Sequence, residues 1–148
     1  ATSFGIYMYS RIMRQQALDG GLLDGGITTV EFSQPLATDL SVISITVAPG
    51  GSYSLEAPLS KTSPLHVSAH LSNPQHGRAV RVAPVINGDQ ELSNAYVTTT
   101  DVNGVASITF SAEDMSIIGA DGRTSVKFKF VLDGDYTSPI MVECPIGA

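Results

Sequence analysis

One cysteine, no tryptophan and only eight basic residues bound what this 148-residue chain can be. A lone Cys144 closes no intrachain disulfide, so the fold is not a small disulfide framework and has to be held by a hydrophobic core. The cations are dispersed: Arg11, Arg14, Lys61, Arg78, Arg81, Arg123, Lys127 and Lys129, in a chain of formal net charge -6. Nucleic-acid binding rests on clustered cations that displace counterions from phosphates, so DNA and RNA are not expected partners and an anionic membrane surface is a poor one. No apolar run approaches the roughly 20 residues that span a bilayer, so membrane insertion is not expected. The opening "ATSFGIYMYS" lacks the basic start, continuous apolar centre and small-residue cleavage site of a leader peptide; a leader already removed would leave no trace.

What is present is a globular composition, 43% hydrophobic and only 15% charged, long enough for one domain with an appendage. From residue 27 onward, short β-branched and aromatic runs alternate with turn chemistry. The strands expected are 27–33, 40–47, 65–71, 78–85, 95–100, 106–110, 125–132 and 140–144. In "LHVSAHL" Leu65, Val67, Ala69 and Leu71 share one face and His66, Ser68 and His70 the other; Val126, Phe128 and Phe130 oppose Lys127 and Lys129 in the same way. Such strands bury one face and wet the other, as antiparallel sheets do. Between them "APGGS", "NPQHG", "INGD", "DVNG", "ADG" and "DGD" carry the Gly and Asn that accept positive φ and the Asp and Ser that cap their own turns. Pro84 lacks a ladder donor, which predicts an edge or a bulge for its strand. "SAEDMSIIG" predicts one helical turn, capped by Ser111 with Asp114 and stopped at Gly119.

Residues 1–26 read differently. Ser10 is placed to cap a short helix from Arg11 to about Asp19, and before it Phe4, Ile6, Tyr7, Met8 and Tyr9 form an apolar patch too short to bury itself. With Ile12 and Met13 these residues are the expected assembly arm, one that needs something to pack on. "LDGGLLDGG" joins the arm to the strands as a hinge, with Gly20, Gly21, Gly25 and Gly26 keeping the backbone permissive and Leu22 and Leu23 free to dock. The organisation expected is therefore an arm and hinge over 1–26 and a β-sandwich over 27–148.

Several chemistries fail on the residues themselves. The repeated Asp-Gly-Gly has no Lys-Ser/Thr after it and would set carboxylates against phosphate. His66 and His70 have zinc spacing on a helix, but on a strand they stand about 13 Å apart at roughly 3.3 Å per residue, too far to share one ion. "DVNG" begins like a calcium loop and lacks the closing ligands, though Asp133 and Asp135 would add carboxylates to an interloop site. There is no Gly-x-Ser-x-Gly elbow, and Cys144 lies in an expected strand, where a buried thiol is inert. No catalytic residue, metal site or cofactor is expected, and the chain reads as non-enzymatic.

The segment "YVTTTDVNGVASITFSAE" (96–113) resembles the central hairpin of bacterial immunoglobulin-like domains of the invasin and intimin type, through Thr100, Asp101, Asn103, Gly104, Ala106, Ile108 and Phe110. "LHVSAHLSNPQHGRAVRVAPVINGD" and "SVKFKFVLDGDY" can be laid out as neighbouring strands, although "PQHGRAV" stands where that family has a Gly-x-Pro-type turn. The resemblance implies an all-β, Ig-like antiparallel sandwich in a structural or adhesive protein. Two functions follow as expectations. One is a homo-oligomeric or larger assembly, most concretely a phage virion protein (capsid decoration, head or tail), whose arm binds a second copy or another capsid, tail or pilus subunit. The other is a bacterial surface or fimbrial adhesion module that binds a host glycan or protein. Loop contacts are expected at Asn73, His76, Asn87, Asp101 and Asn103. A carbohydrate-binding domain, the third class, would gather Tyr53, Tyr96 and Tyr136 on one face.

Overall fold

Alternation decides the burial of nearly every long strand. The computed structural model describes residues 26–35, 40–73 and 75–147. Within them run β1 (Ile27–Pro35), β2 (Leu40–Thr46), β3 (Ser52–Ser54), β4 (Leu65–Leu71), β5 (Ala79–Ile86), β6 (Gln90–Glu91), β7 (Tyr96–Thr99), β8 (Val105–Phe110), α1 (Ala112–Ile118), β9 (Ser125–Leu132) and β10 (Ile140–Pro145). The arm residues Phe4, Ile6, Tyr7, Met8, Tyr9, Ile12 and Met13 lie outside the described residues, as do Gly20, Gly21 and Gly25; Gly26 is the first residue described.

Two sheets make an all-β sandwich. One is four-stranded in the order β2-β1-β4-β8; the larger runs β3-β10-β9-β5, with β6 and β7 sharing the outer side of β5. Every pairing is antiparallel except β3, which lies parallel to β10. As the period-two pattern requires, Leu65, Val67, Ala69 and Leu71 of β4 point into the core, with Val126, Phe128 and Phe130 of β9 facing them from the other sheet. Aromatic rings join the layers. Phe128 stands 5.7 Å from Phe32 on β1 and 5.4 Å from Phe110 on β8, and each such buried ring stabilises the sandwich by roughly 1.5–3 kcal/mol.

The connections follow their chemistry. Asn87 and Gly88 turn β5 into β6 with φ of 51° and 90°, and Gly104 (φ 74°) closes the β7–β8 turn. Ser111 caps α1 as expected: its hydroxyl accepts from Asp114 N (3.1 Å), while Asp114 Oδ2 accepts from Ser111 N (3.0 Å). Met115 and Ile118 are the buried face of this helix.

Two expectations need correction. Residues 52–54 and 90–91, which were not among the expected strands, are β3 and β6; neither is long enough to show alternation, and each is a strand only because β10 or β5 lies beside it. Pro84 does not mark an edge, for β5 lies inside its sheet. Its carbonyl accepts from Leu92 N at 2.9 Å, on the side away from β9. In an extended residue N–H and C=O point the same way, so the missing donor faces the gap between β6, which pairs with 85–86, and β7, which pairs with 79–82. The proline interrupts the edge strand instead of occupying one.

The two outer faces differ. Across the larger sheet, Glu91 binds Arg81 (2.7 Å) and Lys129 (3.2 Å), and Lys129 Nζ stands 5.4 Å from the Tyr136 ring centre. These long chains flank Ala83 and Val85, which point outward from β5 and are nevertheless buried. The hydrogen bond from Arg81 holds the Glu91 carboxyl below its ordinary range against the opposing effect of burial. The outer face of the four-stranded sheet carries short groups: Ser68 Oγ lies 3.3 Å from Ser107 Oγ, and His66 Nδ1 lies 3.0 Å from Thr109 Oγ1.

Candidate functional site at the loop-rich end

Strands β1, β5, β8 and β10 start at one end of the sandwich, where β2, β4, β7 and β9 finish. Four loops meet there and are bonded to one another. Ser72 N donates to the Gly26 carbonyl (3.1 Å), Leu71 N to Gly104 O (3.0 Å), Gly77 N to Thr100 O (2.9 Å), and Gly50 N to Ser138 O (3.2 Å). Asn73, His76, Asp101 and Asn103 therefore come together at this end, beside Gly26, the first residue described. Asn87 does not: its turn lies at the opposite end, beside the start of β9.

Arg78 and Asp133, far apart in sequence, organise the site. Arg78 NH2 and Nε reach Asp133 Oδ2 at 2.5 Å, NH1 donates to Gln75 Oε1, and Asp133 Oδ1 accepts from Ala79 N at 3.1 Å. Buried Thr100 fastens the same loop, since its Oγ1 donates to Gln75 O and accepts from Arg78 N (2.9 Å). Sequence reasoning missed Arg78 and Thr100 here because their partners are set by pairing between distant strands, which leaves no local spacing signal. A cavity of about 270 Å³ opens beside the pair, lined by Ile27, Phe130, Leu132 and Ile140.

The acidic groups of this end are engaged in holding loops. Asp101 Oδ1 accepts from Asn103 N (2.8 Å) and Val105 N (3.1 Å), an Asx turn that rigidifies the β7–β8 hairpin. Asp135 Oδ1 accepts from both Thr137 Oγ1 (2.5 Å) and Thr137 N (3.0 Å), which keeps its carboxyl below the usual range. Among the described residues no three His, Cys, Asp or Glu side chains form a metal-binding group.

Elsewhere the reactive groups are separated. His70 Nε2 lies 3.3 Å from Glu31 Oε1, close enough for attraction but poorly aligned for a hydrogen bond, while His66 pairs with Thr109. Cys144 is fully buried in β10, and burial together with the Glu143 charge pushes its thiol up, away from the reactive thiolate. The three tyrosines do not gather. Tyr53 packs against the core from β3 and Tyr96, itself exposed, stacks edge-on to Phe110 from β7, on opposite borders of the larger sheet, while Tyr136 is exposed in the 133–139 loop. No protein-family model matches the chain, and no curated protein matches it.

Proposed function

We propose that this chain is a non-enzymatic structural protein, an Ig-like subunit of a larger assembly anchored by its N-terminal arm, and most concretely a phage virion protein of the capsid-decoration, head or tail kind. The observation that carries this reading is the seat of Gly26. It is bonded to Ser72 and so close to Pro49 that an added Cβ would meet that ring at 2.8 Å, so the apolar arm is attached to a fixed point among interlocked loops. Strand order supports the Ig-like part: β1-β4-β8 faces β10-β9-β5, with β3 running parallel to β10 after the chain has crossed between the sheets. Commitment of Asp101, Asp133 and Asp135 to loop geometry, and the burial of Cys144, support a scaffold over a reactive centre.

Light scattering on the full chain and on a chain beginning at Gly26 tests the reading. A full chain that assembles, beside a truncated one that unfolds cooperatively as a monomer, is the expected result. Two folded monomers would reject assembly through the arm.

A second reading, a surface or fimbrial adhesion module binding a host glycan or protein, is favoured by the gathering of Asn73, His76, Asp101 and Asn103. Tyr136 stands in the 133–139 loop at the same end and is exposed, so it serves as the reporter. A glycan titration that leaves tyrosine fluorescence unchanged would remove glycan binding from this reading.

A further inference from the structure

The border of the four-stranded sheet at β2 is unusual for a soluble domain. Leu40–Thr46 is seven residues long, without a charged side chain or a proline, and among the described residues it pairs only with β1. Long uncharged edges are templates for a further strand, which proteins ordinarily suppress with charges, prolines or brevity. Which groups are open follows from the register. Val47 N donates to Thr28 O, so the N–H groups of Ile45 and Ile43, two and four residues back, also face β1; those of Ser44 and Thr46 face outward.

The border is also unfinished on its inner side. Ile43 and Ile45 turn toward the core yet stay only partly buried. Next to Ile43 lies a cleft of about 270 Å³ lined by Phe32, Pro58, Leu59 and Leu65. Its far wall is held in place by buried Gln34, whose Nε2 donates to Ser60 O (2.8 Å) and whose Oε1 accepts from Ser60 N (2.8 Å). A strand laid along β2 with apolar residues at every second position would satisfy the outward N–H groups and cover Ile43 and Ile45 together.

This chain contains such a segment. Phe4, Ile6 and Met8 alternate with Gly5, Tyr7 and Tyr9, and residues 10–25 with their two Gly pairs separate that run from Gly26. We infer that residues 4–9 of a neighbouring copy add to β2 as a fifth strand of this sheet, placing Phe4, Ile6 and Met8 over Ile43, Ile45 and the cleft. This rests on the arm-driven assembly proposed above and names the surface that receives the arm.

Ser44→Pro in the full chain is the decisive variant. It removes an outward N–H that β1 does not use, at an exposed side chain, which an edge strand tolerates. Light scattering compares the unaltered chain, Ser44→Pro and Ile6→Asp, with urea unfolding as the control; Ser44→Lys replaces Ser44→Pro if the proline lowers the unfolding midpoint. The expected result is a mass falling from a multiple of 15.5 kDa to 15.5 kDa in both variants. Loss of assembly in Ile6→Asp alone would overturn the β2 inference and leave arm-driven assembly standing. A monomeric unaltered chain would overturn both.

Cross-linking separates the copies. Tyr7→Cys and Ser44→Cys, placed on different chains and treated with a short bis-maleimide, are expected to give a linked dimer, with buried Cys144 silent. Linkage confined to a doubly substituted chain, within one molecule, would overturn the inter-copy form.

Discussion

The larger sheet ends on one side in β3, three residues long, and on the other in β6 and β7, parted by the gap opposite Pro84. The four-stranded sheet ends in β2 and β8, seven and six residues long, with neither charge nor proline. β8 has β7 alongside it; β2 pairs only with β1 among the described residues. Their outer faces divide in the same manner, one crossed by the Arg81–Glu91–Lys129 network and the other lined with serine, threonine and histidine around one carboxylate, Glu31. Among the described residues, one sheet thus closes its borders with broken strands and long charged chains, and the other ends in a long uncharged strand, the kind of border that favours a further strand.

Three substitutions sharpen this contrast. Phe128→Ala removes the ring that touches both Phe32 and Phe110, so it weakens both sheets at once, and a loss of about 3–5 kcal/mol is expected in urea unfolding. Glu91→Gln acts on the larger sheet alone and should cost about 1 kcal/mol at neutral pH. Because Glu91 titrates below its ordinary value near 4.5 when folded, its ionised form stabilises the protein fully above that value. The contribution disappears as the pH falls through the lowered folded value, so the gap between the unaltered chain and Glu91→Gln closes below about pH 4.5. A gap that persisted unchanged to lower pH would mean the network is not what stiffens this face. Smallest is Thr109→Val on the four-stranded sheet, where the partner His66 is exposed; a change within about 0.5 kcal/mol is expected from thermal unfolding.

Sequence carried the long strands because alternation records which side of a residue is buried. β4 follows that record residue by residue and β9 does so as far as Phe130, beyond which Val131 is buried as well; the Ser111 cap with Asp114 was visible because both partners lie within one helical turn. β3 and β6 were hidden, being strands by virtue of their neighbours and not of their own residues. The candidate site was half visible. Turn chemistry marked Asn73, His76, Asp101 and Asn103 as loop residues, but only strand order brings them to one end and sends Asn87 to the other. Asp133 showed as a loop carboxylate, but its pairing with Arg78, 55 positions away, left no trace in composition or spacing.

The placement of Gly26 and Gly147 has a mechanical consequence. Gly26 enters at the end where β1 and β10 begin, while Gly147, bonded to Leu59 O, leaves at the end where β10 finishes. Tension applied between these two points pulls β1 and β10 along their own axes in opposite directions. The ladders of β1 with β2 and β4, and of β10 with β9 and β3, are then loaded in shear, all rungs sharing the force, instead of being peeled open one at a time. A sandwich held at Gly26 and pulled from Gly147 meets that force in its most resistant direction.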